Sequence, residues 1–133
     1  MAYKHDQAAQ GGHVLPKTIK KRDGRLETWS LDRIAHAILK ALKASGIKDP
    51  LLAKRMAGKV ERKLIGFEVP EQEHVQDMVE QVLMESRLYA VARKYILYRE
   101  KRRQLRSQKE TFLDIRETID SYVHKKDWRV AEN

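Results

Sequence analysis

The chain of 133 residues contains no cysteine. A disulfide scaffold, a zinc–thiolate centre and a cysteine nucleophile are therefore excluded. The absence fits a reducing compartment, and the chain reads as cytoplasmic. No apolar run approaches the roughly 20 residues of a membrane-spanning helix, so no membrane partner is expected. Residues 1–13 are polar, with His5 and Asp6 among them, and lack the apolar centre of a signal peptide. They read as a disordered leader. Neither GxxxxGK[ST] nor GxGxxG occurs, which excludes the usual backbone cradles for phosphate. The five histidines, His5, His13, His36, His74 and His124, show no ligand spacing, so no metal site is expected. His36 and His74 are expected on polar helix faces.

What the chain does have is positive charge. Its formal net charge is +9, with 35% charged and 41% apolar residues. That composition suits one small domain with a modest core. Charge alone admits nucleic acid, an anionic membrane or a phosphorylated small molecule as partner, and of these the membrane is not expected. Three prolines and six glycines leave most of the chain free for regular structure.

Lys17-Thr18-Ile19-Lys20-Lys21-Arg22 and Arg25-Leu26-Glu27-Thr28-Trp29 flank Asp23-Gly24, a strong hairpin signal. Ser30 then caps a helix carrying Leu31, Ile34, Ala35, Ile38, Ala41 and Leu42, closed by Gly46. Asp49-Pro50 opens a second, with Leu52, Met56, Val60 and Leu64 as its stripe and Gly66 as its stop. Pro70, with Glu71 and Glu73 in the first turn, opens a third through Val75, Met78, Val79, Val82 and Leu83. A break at Ser86-Arg87 precedes a fourth helix with Leu88, Val91, Ala92, Tyr95 and Ile96. A separate last amphipathic segment carries Phe112, Ile115, Ile119, Tyr122 and Val123. The expected fold is mainly α with a small β cap: a β-hairpin, a four-helix bundle and an extra C-terminal helix. The expected boundaries are 14–107 for the domain and 108–133 for a linker helix and the start of a further domain.

Any phosphate site must be built from side chains, and cations cluster twice. Lys20, Lys21, Arg22 and Arg25 surround the tight turn, while Arg99, Lys101, Arg102 and Arg103 lie late in the fourth helix. Arginine and lysine bind polyphosphate by charge and by forked hydrogen bonding. Glu27 is the odd acid in the basic hairpin and could accept from a ribose hydroxyl or a base amine. A solvated charged surface competes with this reading. So does nucleic-acid binding by a basic helix with Tyr89, Tyr95 and Tyr98 nearby, though no DNA-reading motif supports it.

Three patterns in order carry a resemblance. Ile19-Lys20-Lys21-Arg22-Asp23-Gly24-Arg25 with Glu27 and Leu31-Asp32-Arg33-Ile34 resembles the opening of the ATP-cone domain. Val69-Pro70-Glu71-Gln72-Glu73-His74-Val75 resembles its third-helix pattern, and Ala92-Arg93-Lys94-Tyr95-Ile96-Leu97-Tyr98-Arg99 its fourth helix. The resemblance implies an allosteric site for ATP or dATP, with room for magnesium beside the phosphates. Such domains regulate ribonucleotide reductases, usually by changing subunit association, and one occurs in a bacterial repressor of reductase genes. That repressor carries a four-cysteine zinc ribbon, which this chain lacks. Ile119-Asp120-x-Tyr122 and Asp127-Trp128-Arg129-Val130-x-Glu132-Asn133 resemble the entry to the catalytic domain of anaerobic, glycyl-radical reductases. The expected partners are thus a nucleotide effector, a reductase catalytic domain and a second copy of the chain; no catalytic residue is expected within it.

By resemblance, Lys21 matches the hairpin lysine on the phosphates, Glu27 the acid after the turn, and Arg33 a basic residue near the nucleoside. Gln72 stands where related domains often have Thr, and Arg99 or Lys101 matches a basic residue late in the fourth helix. The candidate site comprises Ile19, Lys20, Lys21, Arg22, Glu27, Arg33, Gln72, Arg99 and Lys101. A strict two-residue turn, however, pairs Lys20 with Glu27 and turns Lys21 to the opposite face. Either the hairpin loop is longer, or Lys20 shares the role with Lys21.

Overall fold

The computed structural model describes residues 14–132. The leader read over residues 1–13 and the side chains of the tail from Asp127 to Asn133 lie outside the described residues. Strands β1 (Thr18–Lys20) and β2 (Leu26–Thr28) form an antiparallel hairpin, followed by helices α1 (Leu31–Ala44), α2 (Pro50–Lys63), α3 (Gln72–Glu85) and α4 (Tyr89–Glu132). The chain divides into two compact units after Ile96.

The hairpin register is Thr18↔Thr28, Ile19↔Glu27 and Lys20↔Leu26. Its loop is one residue longer than a strict Asp-Gly turn. Lys21 N–H donates to the Arg25 carbonyl at 2.8 Å, and Gly24 N–H to the Lys21 carbonyl at 3.0 Å. The three loop residues are Arg22, Asp23 and Gly24, with Gly24 at φ +88. This is a type I turn extended by a left-handed residue, for which glycine is the default. Asp23 braces it by accepting from Arg25 N–H at 3.0 Å and Arg25 Nε at 2.7 Å. Those bonds, the backbone one first, hold the Asp23 carboxyl below its ordinary range.

Residues 66–71 strap this cap to the helices. Gly66 N–H donates to the Val14 carbonyl, Lys17 N–H to Glu68, and Lys20 N–H to Pro70. A parallel bridge pairs Lys20 with Glu71.

Each helix of the first unit starts and stops for a local reason. Ser30 Oγ accepts from Arg33 N–H, and Asp49 Oδ1 from Leu52 N–H, both standard N-caps. Gly46 at φ +82 ends the α1 turn, with Ile47 N–H returning to the Leu42 carbonyl. The break expected at Ser86-Arg87 is present: Arg87 sits at φ 62, and Leu88 N–H reaches back to Leu83. The core joins Ile38, Leu42, Met56, Val60, Leu64, Val75, Val79, Val82, Leu83, Val91 and Tyr95, all nearly inaccessible to solvent. Ala53 and Ala57 let α2 lie close to its neighbours on both sides.

Two expectations are corrected. The fourth helix and the last amphipathic segment are one continuous helix, because 89–132 contains neither glycine nor proline to stop it. His74 is buried rather than on a polar face. Its ring meets Phe67 edge-on, with centroids 4.7 Å apart. Burial pushes its pKa below the ordinary 6.5, against the opposing pull of Asp77 and Glu71.

Candidate functional site

The longer loop decides which side chains meet. With Ile19 opposite Glu27 and Lys21 opposite Arg25, residues Ile19, Lys21 and Glu27 share one face of the cap. Lys20 lies on the other face beside Leu26, and both are exposed. Of the two alternatives the sequence left open, the longer loop is the one present, and Lys20 does not share the Glu27 face. One extra loop residue reverses the facing of everything before it.

Ile19 and Lys21 open onto a recess between the hairpin, α1 and α3. Its floor is apolar: Ile34 and Ala37 from α1, Val75 and Val79 from α3, and Tyr95. Lys21, Thr28, Ser30, Arg33, Gln72 and Gln76 add polar groups, and Trp29 completes the lining. The recess holds about 160 Å³. Pockets for drug-sized ligands hold roughly 300–1,000 Å³. The enclosed part therefore suits one ring system, with any polar extension lying outside it among the charges.

Those charges centre on Glu27. Its Oε2 lies 3.4 Å from Lys21 Nζ and 3.6 Å from an Arg33 guanidinium nitrogen. The oxygen is shielded from solvent and receives no hydrogen bond shorter than these ion pairs. Lys21 and Glu27 keep 26% and 29% of their side-chain exposure, so the pair contributes no more than about 1 kcal/mol. It is weak enough for a stronger anion to compete for Lys21. Arg22 turns elsewhere and pairs with Glu73 in the first turn of α3 at 2.9 Å.

Of the candidates read from sequence, Ile19, Lys21, Glu27, Arg33 and Gln72 come together here. Lys20 and Arg22 do not line the recess, and Arg99 and Lys101 belong to α4 in the second unit. Sequence reasoning missed Gln76 and Trp29. Gln76 is one turn beyond Gln72 on α3, a spacing that could have marked it. Its Oε1 is buried without a hydrogen-bond partner. Trp29 stands between hairpin and first helix, and nothing local marked it as a wall.

Residues 17–104 match the ATP cone domain. The chain belongs to the ATP-cone family. It is 42% identical over 102 residues to a vitamin B12-dependent ribonucleoside-diphosphate reductase of Thermoplasma acidophilum, covering 71% of this chain and 13% of that protein. It is 34% identical over 108 residues to the vitamin B12-dependent ribonucleoside-diphosphate reductase of Mycobacterium tuberculosis, covering 81% of this chain and 15% of that protein. The chain thus spans about one seventh of the length of these relatives.

These relatives do not support the glycyl-radical expectation, since both are vitamin B12-dependent reductases. Of the motif behind that expectation, Ile119 and Tyr122 are exposed on α4, and the side chains from Asp127 to Asn133 lie outside the described residues.

Proposed function

We propose that this ATP-cone domain binds ATP or dATP in the recess and so regulates a ribonucleotide reductase catalytic domain, without performing chemistry itself. The observation that carries the reading is an apolar, ring-sized recess whose edge brings Lys21 and Arg33 together around Glu27. The base enters the recess. The unpartnered Gln76 oxygen supplies an acceptor for a base amine, satisfying a group that is otherwise buried at a cost. The phosphates remain outside, drawn to Lys21 and Arg33. Gln72 keeps a polar contact within reach of the nucleoside. Among the described residues no group of acids or histidines could hold a metal, so a magnesium ion would be carried by the phosphates.

Lys21 and Arg33 come from the cap and from α1, and a bound triphosphate between them relieves their repulsion and fixes the cap. ATP and dATP differ by one hydroxyl, and a switch needs each to favour a different arrangement. Glu27 lies where it could accept from that hydroxyl. The readout in the whole protein is a change in association between copies. No helix among the described residues is long and apolar enough to cross a membrane.

Titration calorimetry with ATP and dATP, with and without magnesium, tests this directly. Absence of binding by both at physiological salt sinks the nucleotide reading. An oligonucleotide that binds with steep salt dependence and is not displaced by ATP would replace it with nucleic-acid binding.

A further inference from the structure

Trp29 lines the recess, and its indole N–H donates to Glu61 Oε2 at 2.8 Å. The two residues are 32 positions apart, so the bond ties the end of the hairpin to α2. The Trp29 main chain is fixed too, its N–H donating to the Lys17 carbonyl at 3.0 Å. What remains free in Trp29 is the setting of the ring, and the Glu61 carboxylate holds that. Glu61 stands in the closing turns of α2, beside Arg62 and Lys63. A helix C-terminus favours cations and disfavours an acid, so Glu61 is where helix electrostatics alone would not put one. Its hydrogen bond to the indole offsets that disadvantage.

We propose that Glu61 is a positioning residue for the nucleotide recess: by holding the Trp29 indole, it sets the wall against which the base lies. This rests on the nucleotide reading above. Trp29 and Tyr95 are the aromatic side chains lining the recess, and Tyr95 is locked in the core at 5% exposure. The adjustable aromatic wall is therefore Trp29, and Glu61 governs it from outside the recess, in contact with Trp29 rather than with ligand. A buried indole N–H also needs a partner for stability alone. Affinity measured far below the melting temperature separates the two roles, because a merely structural bond leaves the affinity of the folded protein unchanged.

The chain has two tryptophans, so Trp128→Phe leaves Trp29 as the sole one. In that background, titration with ATP should change the Trp29 emission, and calorimetry should give the parent affinity. Glu61→Gln keeps an acceptor oxygen and should hold the dissociation constant within about twofold. Glu61→Leu removes the acceptor and should weaken ATP by about fivefold, the ordinary net weight of one hydrogen bond. If ATP binds by calorimetry while Trp29 emission stays constant, or if Glu61→Leu binds as the parent does, the positioning role is overturned and the nucleotide reading stands. If neither ATP nor dATP binds the parent, both are overturned. Should Glu61→Leu fail to fold, the emission titration of the background protein decides alone.

Discussion

Lys21 and Glu27 meet across the hairpin at 3.4 Å, on the same face of the cap as Ile19. That meeting depends on a three-residue loop; a two-residue loop would have brought Lys20 there instead. The register therefore selects between two adjacent lysines that composition cannot distinguish.

Lys21→Ala should weaken ATP binding by about tenfold or more, the usual weight of a charge-assisted contact to phosphate. Lys20→Ala, on the exposed opposite face, should change affinity by less than about twofold. Calorimetry on both variants measures the contrast. Equal losses would mean that the facing of the hairpin is not what selects the phosphate ligand.

Gly24 holds a left-handed conformation at φ +88, with open space where a Cβ would stand. Replacement by alanine meets no clash, so its cost is conformational, about 1–2 kcal/mol. Gly24→Ala should lower the melting temperature by several degrees, and Gly24→Asn by less, since asparagine visits this region more readily. Thermal unfolding followed by circular dichroism gives both values. A penalty for asparagine equal to that for alanine would contradict a left-handed turn.

The helices were legible because each carries its own punctuation. Ser30, Asp49-Pro50, Gly46 and Gly66 mark ends that the structure keeps, and the stripes read in the first unit supply the core. Three features were not decided by the sequence. The loop length depends on which residue adopts positive φ, and Asp-Gly serves two turn types. His74 lies under Phe67 because residues 66–71 fold over the start of α3, an arrangement no periodicity reports. Arg99 and Lys101 entered the candidate site by resemblance, and neither charge nor spacing says which compact unit a residue joins. Gln76 and Trp29 were missed because their role lies in what surrounds them.

Gln76 offers a separation of stability from function. Its buried Oε1 lacks a hydrogen-bond partner, which costs free energy in the unliganded protein. Gln76→Met keeps the length of the side chain and removes that oxygen. The variant should melt no lower than the parent, and up to a few degrees higher, while binding ATP several-fold more weakly. Differential scanning calorimetry and ligand titration on one preparation test both halves. A loss of stability with affinity retained would show that Gln76 serves the fold and not the ligand.

His74 sets a pH dependence whose sign follows from burial. Its folded pKa lies below the unfolded value of 6.5, so the unfolded chain takes up the proton first. Stability is thus fully present above pH 6.5 and declines as pH falls below it toward the folded pKa. Melting temperatures measured from pH 7.5 to 5 should fall on acidification, and His74→Leu should flatten that slope. The carboxylates held low by their partners, Asp23 beside Arg25 and Glu85 hydrogen-bonded to Lys63, contribute only at more acidic pH. An unaltered slope in the variant would assign the effect to other groups.

Among the described residues, the buried apolar core ends at Tyr95. Beyond it, Leu105, Phe112, Leu113, Ile115, Ile119, Tyr122 and Val123 are all exposed along α4. The described apolar side chains from 108 to 123 are thus exposed, and hydrophobic burial is what mainly stabilises a domain of this size. A chain ending at Ser107 should melt within about 2 °C of the full chain and bind ATP with the same affinity. It should also self-associate less, because an apolar stripe has been removed from solvent. Calorimetry and sedimentation velocity on the two chains measure these outcomes together. A fall of more than about 10 °C, or loss of nucleotide binding, would show that the domain extends past residue 107 and that the long helix is part of it.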